Sequence, residues 1–328
     1  MSSDHEREGT RLMRPPRVVT IGETMASLDS TIMGPLQHAR TLTVGIAGSE
    51  SNVAIALRRL GTDTTWIGKV GSDPLGDLIV RELSAEGVRV IASRDPVAPT
   101  ALMIKEHRTS TDTHVWYYRA SNAGSRLRAD DLDRDVIAEA DLLHITGISL
   151  ALSPDMAEVV HEAVRIAKAA GTLVSFDLNY RSKLWSAEDA ATAYRRIIPL
   201  SDLVFAGDDE AAIAVGAAPS PTVLAQRLAD LGASEVVVKL GHLGAVALVG
   251  GREYARAAIP ITPLDTVGAG DAFVAGYLAD RLAGEPPEVC LTTAVTAGAY
   301  ACLVNGDWEG TPRREELALL NAREPVRR

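Results

Sequence analysis

Aromatic side chains make up only 4% of the 328 residues, although 46% of the chain is hydrophobic. That much aliphatic material can bury a large core, and the length suits one large α/β domain with an appendage better than two small domains. Positive charge is also scarce. Lys and Arg number 33 against 43 Asp and Glu, a formal net charge of −10, which argues against a nucleic-acid-binding surface. No apolar run is long enough to cross a bilayer, so no membrane partner is expected. There are two cysteines, Cys290 and Cys302. Twelve residues apart in one predicted helix, they lie about 18 Å apart along its axis and cannot bridge each other. With no metal spacing and no signal peptide, they fit a reducing cytoplasm. The seven histidines include none at metal spacing with a cysteine, and His144, inside a predicted strand, reads as a core residue. A Walker-type Gly-x4-Gly-Lys-Ser/Thr is absent as well.

What is present centres on Asp265-Thr266-Val267-Gly268-Ala269-Gly270-Asp271-Ala272-Phe273 and the small apolar residues that follow to Leu278. Two glycines one residue apart allow a tight turn and close backbone approach to a ligand, and the apolar run reads as a buried helix. Amides and the positive end of the helix dipole converge there, a ready site for a phosphate. Asp271 would repel such an anion. Two readings stand for it: a base that takes a proton from a hydroxyl attacking phosphorus, or a carboxylate capping the first helical turn.

Along the rest of the chain, residues 1–16 mix charges with Pro15-Pro16 and are expected to form a loose tail. A strand is predicted over 17–22, followed by short strands of a flap with a turn at Gly34-Pro35. The polar turn at 45–52 feeds a helix whose face carries Val53, Ala56, Leu57 and Leu60 before Gly61; it reads either as a ligand-facing corner or as an ordinary capped helix. A strand over 64–70 and a helix over 75–85 follow. From 100 to 119 the pattern alternates, and in a strand Tyr117 and Arg119 share a face, suited to a hydroxylated carboxylate or simply lying on an exposed edge. Short apolar strands over 142–146, 173–177, 203–206 and 236–240 alternate with helices, among them one starting at Ser153-Pro154 and stopped by Gly171, as in a parallel sheet covered on both faces. Ligands in such folds bind at the strand C-terminal ends. Arg181, the acidic Asp208, Asp209 and Glu210, and Gly241 and Gly244 all fall there. The acidic group suits either Mg²⁺ or helix capping.

Together these residues resemble the PfkB, or ribokinase-like, family of carbohydrate kinases. The 265–278 stretch matches the family's C-terminal signature, and Gly48 to Gly61, with Asn52-Val53-Ala54 and Leu60-Gly61, resembles its N-terminal one. The resemblance runs from about Arg17 to Leu320. Within the family it points to kinases of 2-keto-3-deoxygluconate, through Gly48-x-Glu50-x-Asn52, Tyr117-Tyr118-Arg119, His144-Ile145-Thr146-Gly147 and Asp177-x-Asn179-Tyr180-Arg181.

The resemblance implies a ribokinase-like three-layer α/β/α sandwich over residues 17–320 with a small β lid from about 24–44 and 98–119, and a C-terminal tail over 321–328. It implies ATP and Mg²⁺, Asp271 as catalytic base, and Gly268, Ala269 and Gly270 as the anion hole. Gly48, Asn52, Tyr117, Arg119 and Arg181 would contact the sugar acid. Gly241, Gly244, Gly268 and Gly270 would hold the nucleotide, and Glu210 the metal, directly or through water. A monovalent cation is left open, and a homo-oligomer is expected. Three positions depart from the family pattern: Ala47 in place of a glycine, Gly207 in place of the Asn of an Asn-x-x-Glu motif, and Met103 in place of a substrate tyrosine. The expected reaction is phosphorylation of 2-keto-3-deoxygluconate on its terminal 6-hydroxyl. The alternatives are a kinase of a neutral sugar or nucleoside, and a sugar-sensing pseudokinase, against which the intact Asp271 motif argues.

Overall fold

The computed structural model describes residues 14–109 and 112–321. In chain order its strands are β1 (Arg17–Ile21), β2 (Met25–Ser30), β3 (Leu42–Ala47), β4 (Asp63–Gly71), β5 (Arg89–Asp95), β6 (Leu102–His107), β7 (Thr113–Tyr118), β8 (Leu142–Thr146), β9 (Leu173–Asp177), β10 (Leu203–Gly207), β11 (Glu235–Lys239), β12 (Ala245–Val249) and β13 (Arg252–Arg256). Successive side chains of a strand point to opposite faces of its sheet. In β10 and β11, Val204, Ala206, Val236 and Val238 join one core cluster, while Leu203, Phe205 and Val237 join another. Strands that are apolar on both faces need a helical layer on each. One layer holds the helices Pro154–Ala170, Ala187–Ile197 and Pro221–Asp230, which contribute Met156, Tyr194 and Leu224. The other holds Ser49–Arg59, Ala269–Leu282 and Pro287–Ala301, which contribute Val53, Phe273 and Leu291.

The central sheet has the order β13-β12-β11-β10-β9-β8-β1-β4-β5. From β11 to β5 all neighbours are parallel. The two strands at the other edge, β12 and β13, are antiparallel, an addition to the parallel sheet expected from the sequence. Gly250 and Gly251, at φ 56° and 76°, join them, the positive φ at both central positions that a two-residue type I′ turn requires. The chain leaves β1 toward β4 on one side, and β8 lies on the other, which puts a topological switch beside β1.

A second, four-stranded sheet has the order β3-β2-β6-β7. It takes in the two segments expected as a lid, and β3 carries it three residues further, to Ala47. Alternation in β7 leaves Trp116 and Tyr118 exposed on one face, while Val115 and Tyr117 line a cavity on the other. Of the expected tails, residues 1–13 and 322–328 lie outside the described residues. Arg14 pairs with Asp141 through two hydrogen bonds of 2.9 and 3.0 Å. Cys290 sits in a helix and Cys302 just past its end, both free.

Candidate active site

The helix Ala269–Leu282 is buried from Asp271 to Asp280, as its unbroken run of small and apolar residues requires. Its entry is a forced turn. Gly268 has φ 75°, and a Cβ there would lie 1.7 Å from the carbonyl oxygen of Asp307, so no other residue fits. Asp271 falls in the first turn. Opposite it stands the first turn of the helix Ser49–Arg59, where Ser49 and Asn52, three apart and so on one face, both reach its carboxylate. Ser49 Oγ donates to Oδ1 at 2.6 Å and Asn52 Nδ2 to Oδ2 at 2.8 Å. Asn179, in turn, donates to Ser49 Oγ at 2.7 Å.

Burial pushes the Asp271 carboxyl above its ordinary range, against the pull of these two hydrogen bonds and of the charges on Arg181 and Lys239. A carboxylate so raised and so fixed is suited to accept a proton. Both helical N-termini therefore converge on one carboxylate. Asn52, expected at the sugar acid, bonds Asp271 and lines neither of the two cavities that flank it, and Ser49, three residues earlier on the same face, is its partner in holding that carboxylate.

Two cavities meet at this turn. An apolar one of about 400 Å³ is lined by Gly241, Gly244, Ile259, Ala269, Val295 and Cys302 among others. Gly244 has φ 109°, and a Cβ there would lie 2.0 Å from the carbonyl oxygen of Arg256. The other cavity, a polar cleft of about 410 Å³, is lined by Lys105, Tyr117, Arg181, Glu210, Gly268 and Asp271 among others. Gly270, Thr266 and Lys239 border both. The first amides of a helix have no partner within it. Among the three expected in an anion hole, the Ala269 N–H is directed at the Thr266 carbonyl oxygen at 3.4 Å, and Ala269 faces only the apolar side.

The structure brings Tyr117, Arg181, Glu210, Gly268, Gly270 and Asp271 to one cleft, and sets Gly48 and Arg119 outside its walls. Gly48 is a packing position: a Cβ would lie 2.4 Å from the Glu23 carbonyl oxygen. Arg119 follows β7 and stacks over Tyr117 at 5.5 Å, so the two are neighbours as their spacing suggests. Its guanidinium, however, donates to the buried carboxylate of Glu23, which also accepts from Asn122. Met103 lies directly opposite Tyr117 in the β6–β7 ladder and also lines the cleft, so a phenol is present one strand away from the expected one.

Glu210 closes two strand ends: its carboxylate accepts from the Tyr180 N–H at 2.9 Å and the Gly207 N–H at 2.6 Å. Burial raises its pKa, against the pull of Lys239. Among the described residues no cluster of three or more His, Cys, Asp or Glu could cage a metal. Mg²⁺ ordinarily needs no such cage, since it keeps waters and binds through one or two carboxylates and substrate phosphates. Asp209 and Glu210 at the cleft wall fit that role. His144 is buried beside Ser175 Oγ at 3.0 Å, and burial lowers its pKa to about 3, so it is a neutral core residue.

Sequence reasoning also passed over Lys105. Its side chain is fully buried, with Nζ 2.6 Å from Asp307 and 3.7 Å from Asp265. Asp265 accepts from the Val267 N–H at 3.0 Å, and the Asp307 carbonyl abuts Gly268. A lid strand is thereby tied to the glycine turn.

The chain is similar to several known proteins. A 2-dehydro-3-deoxygluconokinase of Bacillus subtilis is 38% identical over 92% of this chain and 94% of its own. A 2-dehydro-3-deoxygalactonokinase of Haloferax volcanii is 36% identical over 88% of this chain and 92% of its own. The crystal structure of a putative ribokinase II from E. coli in complex with ATP and Mg²⁺ superposes with a TM-score of 0.87 at 26% identity, covering 94% of this chain and all of the other. Residues 15–314 match the pfkB family carbohydrate kinase profile, and the chain belongs to that family.

Proposed function

We propose that the protein transfers the γ-phosphoryl group of ATP to the terminal 6-hydroxyl of 2-keto-3-deoxygluconate, giving 2-keto-3-deoxy-6-phosphogluconate. The observation that carries this reading is a buried, doubly hydrogen-bonded carboxylate, Asp271, at the glycine turn where an apolar and a polar cavity meet. ATP lies with its base in the apolar cavity and its phosphates toward Gly268 and Gly270; the sugar acid lies in the polar cleft beside Tyr117 and Arg181. Asp271 takes the proton of the 6-hydroxyl as that oxygen bonds to the γ-phosphorus, and the bond to the β–γ bridging oxygen breaks to release ADP. Asp209 and Glu210 would hold Mg²⁺ at the cleft wall, where it would supply positive charge to the phosphates. Arg181 meets the substrate carboxylate.

The Haloferax relative supports a second acceptor, 2-keto-3-deoxygalactonate, which differs only in configuration at C4. One assay decides: ATP consumption by the purified protein with both sugar acids, fructose and ribose under the same conditions. The highest kcat/KM is expected on a sugar acid. Preference for a neutral sugar would leave only the general kinase reading, and no turnover of any acceptor would leave a pseudokinase. Repeating the assay in potassium and in tetramethylammonium salts decides whether a monovalent cation takes part. We place the enzyme in the cytoplasm, on its use of ATP and its two unbridged cysteines, and expect a dimer or higher oligomer by light scattering.

A further inference from the structure

Lys239 ends β11, and its ammonium sits at the only cationic position that borders both cavities among the described residues lining them. Its side chain is mostly buried, and Nζ is 2.8 Å from each oxygen of Asp177 at the end of β9. A Cβ built on Gly270 would lie 3.9 Å from Nζ, so the ammonium hangs over the first turn of the Ala269–Leu282 helix. The other cations of the polar cleft are placed differently. Lys105 is fully buried against Asp307, and Arg181 is exposed and lines the polar cleft alone.

A triphosphate entering here meets Asp177, Asp209, Glu210 and Asp271. Bringing its charge past four carboxylates in a chain of net charge −10 requires a fixed positive charge at the crossing point. Resting on the phosphoryl-transfer reading above, we propose that Lys239 is a catalytic residue whose ammonium contacts the γ-phosphoryl group as it passes from ADP to the acceptor, with Asp177 as the positioning residue that aims it. Lys239 makes no bond and gives up no proton; it stabilises the charge on the equatorial oxygens in flight. Burial tends to lower its pKa, but the carboxylates of Asp177 and Glu210 outweigh that and keep it protonated. Two equal contacts to Asp177 also hold it without a flexible search, which is what preorganised stabilisation requires.

The alternative is a purely structural clamp between β9 and β11, and the two predict different kinetics. Lys239→Met, Lys239→Gln and Lys239→Arg are compared with wild type on whichever acceptor wild type uses best, with kcat, KM and melting temperature measured for each. The catalytic role predicts a kcat about 10²- to 10³-fold lower for Met and Gln, KM for the acceptor within about threefold, and recovery to within about tenfold of wild type for Arg. Asp177→Asn should lower kcat less than Lys239→Met does. If kcat per folded molecule stays near wild type in the Met or Gln variant, or if all three variants including Arg lose only melting temperature, Lys239 is a clamp and the proposal is overturned. Failure of the sugar-acid reading is a separate result, because it appears in wild type as a preference for another acceptor.

Discussion

Of the two cavities that meet at Gly270, the apolar one takes its walls from the late chain, between Lys239 and Cys302, whereas the polar one draws on both sheets. Lys105 and Tyr117 of the lid face Arg181 and Asp271 of the core across the polar cleft. The apolar cavity needs no contribution from β2, β3, β6 or β7. One half of the site is thus complete without the small sheet, and the other is complete only when the small sheet is in place. Nucleotide recognition should be insensitive to changes in the lid, and acceptor recognition should respond to them.

The largest effect should come from Asp271, where the halves join. Asp271→Asn removes the proton acceptor but leaves the apolar cavity untouched, so kcat should fall roughly 10²- to 10⁴-fold while an ATP analogue binds as before by calorimetry. Turnover near the wild-type rate would end the base assignment. The pH profile gives a second view. Burial raises the folded pKa of Asp271 above the ordinary carboxylate value, and a base works only when deprotonated. Activity should therefore fall on the acid side, through a pKa above the usual carboxylate range, while nucleotide affinity changes less over the same interval. An acid limb at or below the ordinary aspartate value would contradict the raised pKa.

The same division explains which features were readable in the sequence. The strands β8, β9, β10 and β11 are short apolar runs buried on both faces, a pattern that survives without knowledge of neighbours, and they lie where periodicity puts them. The Gly268 turn was legible for the same reason: its chemistry is local. The edge hairpin of β12 and β13 was passed over although Gly250-Gly251 marks its turn. Contacts between distant segments left less trace. A lysine in an alternating strand reads as solvent-facing, and Lys105 is buried only because Asp265 and Asp307, far along the chain, converge on it. Glu23 likewise looks unremarkable beside the strand β1, yet it holds the Arg119 guanidinium that the sequence pattern assigns to the substrate. Pairing, not spacing, decides where those charges go.

The two arginines can be separated on that basis. Arg181 lines the cleft and is exposed, so Arg181→Met should raise KM for the sugar acid more than it lowers kcat, with a loss on the order of 1.5–3 kcal/mol in kcat/KM and an unchanged melting temperature. Arg119→Met should instead lower the melting temperature, because it strands the buried Glu23 carboxylate with Asn122 as its remaining partner. Nucleotide affinity should be the same in both. If Arg119→Met melts like wild type yet loses acceptor affinity, its guanidinium serves the substrate and the Glu23 pair is incidental.

The smallest effect is also the most direct test of a cleft built from two sheets. We predict that the lid closes over the acceptor and excludes water, and that it does so unevenly. Its strand β6 is already fastened to the glycine turn through Lys105 and Asp307, while β7 carries Tyr117 at the cleft and leaves Trp116 and Tyr118 exposed on its other face. Amide hydrogen exchange should then be slow in Leu102–His107 with or without ligand, and should slow in Thr113–Tyr118 when a saturating sugar acid is added. ATP alone should slow Thr113–Tyr118 less than the sugar acid does, since the apolar cavity touches neither strand and only the phosphates reach the cleft that Val115 and Tyr117 line. Loosening the anchor should remove the distinction: in Lys105→Met both strands should exchange fast without ligand. Exchange in Thr113–Tyr118 that ignores the sugar acid, or that slows as much with ATP alone, would mean that acceptor binding does not draw on the lid.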